Sequence, residues 1–322
     1  MKNFVKPNVV VSKCLGFARC RWNGQVIPDD FVEILRTHVD FRPICPEMEI
    51  GLGLPRDPIR IVAQDGQSRL VQPATRADIS DKMNQFADSF LRSLRDIDGF
   101  VLKSRSPSCG IKDVKIYPAT DKAAPLRKDR GFFGGAVLQH FPHLAVEDEG
   151  RLHNFRIREH FLTKLFTLAS FRRVKSSKSV KDLVQFQAQN KFLLMAYNQK
   201  ELRILGRIVA NPQKRPVDKV LNDYEEHLAA AFTRPPRYLS NINVLMHALG
   251  FFTKQLSSGE KGFFLDSLER YRSEKVPLSV PLNLARAWVV RFGEEYLGPQ
   301  TFFAPYPEAL MEITDSGKGR NL

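Results

Sequence analysis

Three cysteines, each inside its own polar segment bearing glycine or proline, constrain this chain more than any other feature. They stand in Ser12-Lys13-Cys14-Leu15-Gly16, Ile44-Cys45-Pro46-Glu47 and Ser106-Pro107-Ser108-Cys109-Gly110, and only one further cysteine, Cys20, exists in 322 residues. Each follows an apolar run that reads as a strand. Asn8-Val9-Val10-Val11 is continuous and β-branched, as a buried parallel strand is; Val39–Ile44 and Gly99–Lys103 are two further strand candidates. An open α/β sheet binds ligands beyond the carboxyl ends of its strands, where the loops gather. Three cysteine loops on that edge would form a cradle for a metal cluster.

The chemistry of the thiols is narrowed by context. A start of Met-Lys-Asn-Phe-Val-Lys-Pro-Asn lacks the apolar core of a signal peptide, and a chain this long does not need covalent staples. Reduced thiols in a cytoplasmic protein are therefore expected. Cys20 would complete four ligands for a structural zinc, although paired C-x2-C hooks are missing. Ordinary buried cysteines are the other alternative, since free cysteine is among the most buried residue types. Spacing alone leaves these readings open.

The residues around the cysteines carry a resemblance. Val11–Gly16 with Cys20-Arg21-Trp22-Asn23-Gly24, Pro43–Glu47 with Gly51-Leu52-Gly53-Leu54-Pro55-Arg56, and Lys103–Gly110 resemble the thiouracil desulfidase family, in order across residues 1–150. The chain departs from the family at Trp22-Asn23, where Tyr-Asp is common. The resemblance implies a Rossmann-like α/β domain carrying a [4Fe-4S] cluster on Cys14, Cys45 and Cys109, with one iron free of protein ligands. A thiocarbonyl sulfur, being soft, suits such an iron, and water then replaces sulfur without net redox change. The resemblance further implies Glu47 as general base and Ser106 in proton handling, with Ser12, Lys103 and Ser108 near the substrate. By themselves, Glu47 also reads as a first-turn carboxylate of the next helix, and Ser106 as turn chemistry. Cys20 is expected to support the first loop. Gly134-Gly135 lacks the spacing of a phosphate-binding fingerprint and reads as a loop between the sheet domain and the next segment.

Charge separates two halves. Residues 1–150 carry 22 Lys+Arg against 19 Asp+Glu, and residues 151–322 carry 27 against 16, so nearly all of the net +14 lies in the second. From about Leu152 apolar residues take helical spacing, as in Phe161, Leu165, Leu168 and Phe171. Further helices are expected at 202–209, around 224–232, and at 244–256, 263–271 and 282–296, with breaks at Pro212, Pro235-Pro236 and Pro277. This predicts an all-α domain over 151–322. Lys191–Ala196, Leu205-Gly206-Arg207 and Asn243–Phe252 resemble a second domain, of unknown function, that is commonly fused to desulfidase domains.

A basic helical half interleaved with Tyr197, Tyr238 and Tyr271 is the electrostatic footprint of a nucleic-acid binder. Lys191, Arg207, Lys214, Arg215, Arg234 and Arg237 are the candidate RNA contacts. His247 is expected to be a packed helix histidine, and no apolar run approaches the ~20 residues of a membrane span. The fused architecture resembles the tRNA 4-thiouridine desulfidases, which implies thiolated tRNA as partner. Two alternatives stand beside it: a desulfidase of free thiouracil or thionucleotides, and a non-enzymatic iron–sulfur sensor that binds nucleic acid.

Overall fold

A computed structural model of the chain describes residues 3–120, 123–211 and 213–311. By contacts among its own residues the chain divides into two compact units: residues 1–170 with 306–322, and residues 171–305.

The first unit is α/β. Strands β1 (Asn8–Ser12) and β2 (Asp40–Ile44) flank helix α1 (Asp30–Leu35), and the short helix α2 (Pro46–Glu49) follows β2 directly. Strands β3 (Arg60–Gln64), β4 (Gln67–Gln72) and β5 (Ala77–Asp78) lead to helix α3 (Ser80–Ser93). Next come β6 (Gly99–Leu102), β7 (Val114–Tyr117), β8 (Arg127–Asp129), α4 (Phe132–His140), β9 (Ala145–Asp148), α5 (Glu149–Leu152) and α6 (Phe155–Ser177), inside which the division between units falls. One sheet has the order β2-β1-β6-β9 and is parallel throughout. The three strands expected ahead of the cysteine loops are thus β2, β1 and β6, side by side.

Both faces of this sheet are covered, which is why its central strands read as unbroken apolar runs. Val10, Phe100 and Leu102 pack with Met83, Ala87 and Leu91 of α3 and Phe133 and Val137 of α4. Val9, Val11 and Val101 face the other way, against Phe31, Val32 and Leu35 of α1 and Phe161, Leu162 and Leu165 of α6. A second, mixed sheet of order β5-β4-β3-β7-β8 was not anticipated. Its β3–β4 hairpin turns on Asp65-Gly66, both at positive φ (50° and 75°), the backbone that a two-residue turn of this hand demands.

Gly134-Gly135, read as a loop, lies inside α4. The reason is packing: a Cβ at Gly134 would stand 2.5 Å from the carbonyl oxygens of Cys109 and Gly110. The glycine lets the helix backbone touch the third cysteine loop.

The second unit is all-α, as expected. It holds the end of α6, then α7 (Val180–Tyr197), α8 (Gln199–Ala210), α9 (Val217–Ala231), α10 (Tyr238–Phe252), α11 (Ser258–Arg272), α12 (Ser279–Phe292) and a short 3-10 turn at Thr301–Phe303. Pro235-Pro236 and Pro277 fall between helices as expected, whereas Pro212 lies outside the described residues. Aromatic packing fills the core, with Phe171, Phe186 and Tyr224 in mutual contact and Phe252 and Phe264 against Trp288. Two expectations are corrected. His247 is exposed on α10 instead of packed, while Tyr271 is buried, its hydroxyl 2.9 Å from the amide nitrogen of Asn241 and its ring tilted against Tyr238. No described helix is long and apolar enough to cross a membrane.

Candidate functional site

The three cysteine loops meet. Cys14 follows β1, Cys45 is the residue between β2 and α2, and Cys109 lies in the loop after β6. Because the three strands are parallel neighbours, their carboxyl ends lie together. A cavity of about 430 Å³ opens there, lined by Cys14, Cys20, Cys45 and Cys109 with Ser12, Glu47, Arg56, Lys103 and Ser106 among others.

Local structure fixes each thiol. Lys13 N–H donates to Ile44 O at 2.8 Å, tying the first loop to the second, and the turn beyond closes with Ala18 N–H to Lys13 O at 2.9 Å. Cys45 has extended backbone at the N-cap of α2, and Pro46, with its φ preset, starts the helix. The Cys109 loop is held by α4, whose Gly131, Phe132 and Gly134 N–H groups donate to Gly110, Pro107 and Ser108 carbonyls at 2.7, 3.0 and 2.9 Å.

All four cysteines are free thiols. Cys20, expected only to support its loop, is buried beside the thiols of Cys14 and Cys45, and its carbonyl oxygen accepts from Cys45 Sγ at 3.7 Å. The contact with Cys14 is the main cause that pushes its thiol up to about 11. Cys45 is pushed up by Cys20 and then by burial, and Cys109 to about 12 chiefly by burial. Thiols so placed keep their protons near neutral pH and ionise when a cation displaces them. Among the described residues, no group of three or more His, Cys, Asp and Glu side chains is arranged to hold a single metal ion.

Glu47 sits in the first turn of α2, yet its carboxylate does not cap the helix. Oε1 accepts a hydrogen bond from Ser108 Oγ at 2.6 Å, and Oε2 pairs with Arg56. Arg56 has a side chain only 2% exposed, and its guanidinium also donates to Cys20 O and Gly53 O, each at 3.1 Å. One arginine therefore clamps the carboxylate to both the first cysteine loop and the chain after α2. Its Nε is buried without a partner.

Ser106 does what turn chemistry predicts and something more. Its Oγ accepts from the backbone N–H groups of Cys109 and Ser108 at 3.1 and 3.3 Å, and lies 3.0 Å from Ser108 Oγ. With Ser108 donating to Glu47, the Ser106 hydroxyl is left to donate to Ser108. A chain Ser106–Ser108–Glu47 results. Ser12 Oγ is fully buried and accepts from Lys103 N–H at 2.8 Å. Lys103 does not reach freely into the cavity, because its ammonium is paired with Glu149 and donates to Ser104 Oγ at 2.9 Å.

Sequence reading missed Arg56 and Glu149 as site residues. Arg56 closes the motif Gly51–Arg56, and a cation behind a Gly-Leu-Pro turn near an acidic helix start was the available signal. Glu149 gave none, as it lies 46 residues from Lys103.

In the second unit Lys191, Arg207, Lys214, Arg234 and Arg237 are exposed. Arg215 is instead paired with Asp223. Lys214 and Arg215 precede α9 and Arg234 and Arg237 follow it, so the 15-residue helix holds the two basic loops about 22 Å apart. The tyrosines form no open stacking surface: Tyr197 packs on Phe232 and Tyr238 on Tyr271.

Comparison with known proteins follows the two units. Residues 9–149 match the family described as 2-thiouracil desulfurase, and residues 191–307 match the family described as protein of unknown function, DUF1722. YbgA of Escherichia coli (strain K12) is 26% identical over 151 residues, covering 46% of this chain and 89% of its own length. YbbK of Bacillus subtilis (strain 168) is 29% identical over 109 residues, 32% of this chain and 72% of its own. Among solved structures, the [4Fe-4S]-dependent thiouracil desulfidase TudS is 25% identical over 46% of this chain and 93% of that one, with a TM-score of 0.36. The chain thus resembles the 2-thiouracil desulfurase family over residues 9–149 and the DUF1722 family over residues 191–307.

Proposed function

We propose that this protein is a tRNA 4-thiouridine desulfidase, in which Cys14, Cys45 and Cys109 hold a [4Fe-4S] cluster and the basic helical domain holds the RNA. The observation that carries the reading is the meeting of three free thiols with Glu47 and Ser106 around one cavity, with the buried Ser108 bonded to Glu47, in a segment that matches the 2-thiouracil desulfurase family.

The residues fit the cluster. Thiolates are its usual ligands, and these ring a cavity instead of converging on one ion, as ligands to separate irons do. The raised proton affinities of Cys45 and Cys109 are what a bound cation would relieve. Bound there, a cluster with one iron lacking a protein ligand supplies a soft Lewis acid for a thiocarbonyl sulfur.

The chain's own groups handle water and protons. Glu47 takes a proton from the attacking water, whose oxygen replaces sulfur on the pyrimidine carbon while sulfide departs. No electron is gained or lost. Arg56 holds the carboxylate in register, and Ser108, oriented by Ser106, fixes its other oxygen. Lys103 and Ser12 act on the loops: Lys103 anchors to Glu149, and Ser12 ties the end of β1 to the start of the third cysteine loop at Lys103 N–H.

The choice of RNA over the free base rests on charge. A base alone needs little positive surface, whereas 27 Lys+Arg against 16 Asp+Glu in residues 151–322 suits a phosphate backbone. A thiolated base inside folded RNA must leave its stack to enter the cavity. The test is anaerobic purification with iron counting, then turnover of thiouracil, 4-thiouridine 5′-monophosphate and thiolated tRNA side by side. About four irons per chain and fastest turnover per bound substrate on tRNA are expected. Equal turnover of all three would make the free-base desulfidase the better reading, and a clustered protein without turnover would leave the sensor.

A further inference from the structure

Two segments of the second unit, Lys191–Ala196 in α7 and Asn243–Phe252 in α10, meet through their aromatic rings. Phe192 stands edge-on to Phe251, with centroids 6.3 Å apart, and both touch Tyr296, which follows α12. The three rings differ in exposure. Phe192 is 3% exposed and belongs to the core, whereas Phe251 is 42% and Tyr296 38% exposed. The planes of Phe251 and Tyr296 are 9° apart, with centroids at 5.6 Å. Water therefore meets a parallel aromatic pair backed by a buried ring, an arrangement that forgoes the stabilisation of burying both.

Both exposed rings are carried on anchored backbone. Phe251 sits in the last turn of a 15-residue helix. The chain around Tyr296 is pinned to α7, because Gln300 Nε2 donates to Ala188 O at 2.9 Å, Gln300 Oε1 accepts from Phe192 N–H at 3.2 Å, and Thr301 Oγ1 donates to Asn190 Oδ1 at 2.7 Å. Tyr296 N–H itself donates to Glu294 Oε1 at 3.1 Å.

The rim is polar and mostly cationic. His247, Gly250, Phe251 and Lys254 recur at intervals of three and four residues and are all exposed, so they share one face. A Cβ at Gly250 would meet nothing within 4 Å, so packing does not call for the glycine, which weakens a helix relative to alanine. Its missing side chain leaves open ground beside Phe251. Lys191, His247 and Lys254 have no hydrogen bond or ion pair among the described residues, and Glu295 is the exposed acid next to Tyr296.

We propose that Phe251 and Tyr296 form a stacking platform for an unpaired base of RNA, with Lys191 and Lys254 meeting the flanking phosphates. Every base has a π face, and aromatic side chains hold unpaired bases by stacking on it, with little regard to sequence. A patch two rings wide, rimmed by cations in a half with 27 Lys+Arg against 16 Asp+Glu, suits a flat base on an anionic chain. An apolar protein face would need a far larger area. The proposal rests on the RNA reading and deepens it: phosphate contacts alone accept any strand, whereas these rings favour loops and single-stranded ends over duplex.

The test measures binding of tRNA, of an oligouridylate and of an abasic ribose-phosphate strand of the same length, for the full chain and for Phe251→Leu with Tyr296→Leu. Leucine keeps apolar contact with Phe192 and removes the aromatic plane, and circular dichroism checks that the helices persist. The parent should bind oligouridylate about 10- to 100-fold more tightly than the abasic strand. The double variant should lose that preference while the slope of log affinity against log salt stays put, since no phosphate contact is removed. Phe251→Trp, which keeps a plane at that position, should retain the preference, as loss of packing alone would not predict. An equal preference in parent and double variant overturns the platform and leaves the RNA reading standing. Loss accompanied by a changed salt slope would trace to phosphate contacts and overturn it too. A parent that binds neither tRNA nor either strand sinks the RNA reading and the platform together. Should the double variant pass from dimer to monomer on sedimentation with RNA affinity intact, the face belongs to a second copy of the chain and the platform falls.

Discussion

Ser108 Oγ donates a 2.6 Å hydrogen bond to Glu47 Oε1 across 61 residues of sequence, joining the third cysteine loop to the second. The carboxylate is thereby held by a neutral donor on one oxygen and a guanidinium on the other. Glu47→Gln keeps the shape and removes the base. It should retain the fold and iron content and lose about 10²–10⁴ in turnover of a thiolated substrate. Ser108→Ala should cost less, about tenfold, since Arg56 still orients the carboxylate. Steady-state kinetics of both variants check the order; a Ser108→Ala loss equal to that of Glu47→Gln would move the proton chemistry to the serine.

Arg56 is the structural keystone of the site. With Glu47 16% and Arg56 2% exposed, the pair is shielded, and removing one partner strands the other. Arg56→Met should destabilise the protein by about 3–5 kcal/mol, measured by urea unfolding. Arg56→Lys should recover only part of this, because a lysine cannot fork to Glu47, Cys20 O and Gly53 O together. Full recovery by lysine would mean that charge alone matters.

The cysteines are expected to differ in kind. Cys14→Ala, Cys45→Ala and Cys109→Ala each remove a ligand with no spare alongside, so each should lose the brown absorbance and bound iron on anaerobic purification. Cys20→Ala should keep most of its iron, since Cys20 shares the first loop with Cys14 and its contact with Cys45 is made by its backbone carbonyl. Iron loss equal in all four variants would make Cys20 a ligand too.

Burial, reinforced by Glu149 and Glu147, raises the Asp148 carboxyl from 3.8 to about 6. The folded state therefore binds this proton more tightly than the unfolded one. Its contribution is fully present below pH 3.8 and is lost as pH rises to about 6. Asp148 also caps α5 by accepting from Arg151 N–H at 2.8 Å, a role asparagine fills equally well. Asp148→Asn should match the parent in stability near pH 4 and exceed it at pH 7 by on the order of 2 kcal/mol. Denaturant melts at the two pH values decide; an equal gap at both would show that ionisation is not the cause.

Much of this site was legible because its thiols follow short, continuous, β-branched or apolar runs, and parallel neighbours share a loop edge. Val9–Val11 and Phe100–Leu102 announced buried strands, and the cysteines came immediately after. The mixed sheet had a signal that went unread, since Asp65-Gly66 between Ile61-Val62 and Leu70-Val71 is a hairpin turn with its flanks. Gly134 misled because glycine in a helix is disfavoured locally, and only the approach of the Cys109 loop explains it. Tyr271 misled in the opposite way: its partner Asn241 is 30 residues off, so nothing nearby marked it as buried. Glu47 was the instructive case. Local sequence gave a helix start, whereas its contacts with Arg56 and Ser108 are made by the fold.

The RNA reading can be tested where the six candidate cations differ. Arg234 and Arg237 follow α9, exposed and without an ion pair among the described residues, whereas Arg215 at the helix's other end is tied to Asp223. A guanidinium already paired with a carboxylate releases few counterions when phosphate arrives, because the carboxylate must be displaced first. Arg234→Glu with Arg237→Glu should therefore weaken tRNA binding and reduce the slope of log affinity against log salt by about 1.4–1.8, or about 0.7–0.9 per lost contact. Arg215→Gln should change the slope by much less. Iron content should be the same in both, since the cysteine loops lie in the other unit. Filter binding across a salt series gives the slopes directly. Should the Arg234, Arg237 double reversal leave the slope as it was while Arg215→Gln lowers it, the phosphate surface lies at the start of α9, about 22 Å from the Arg234 loop.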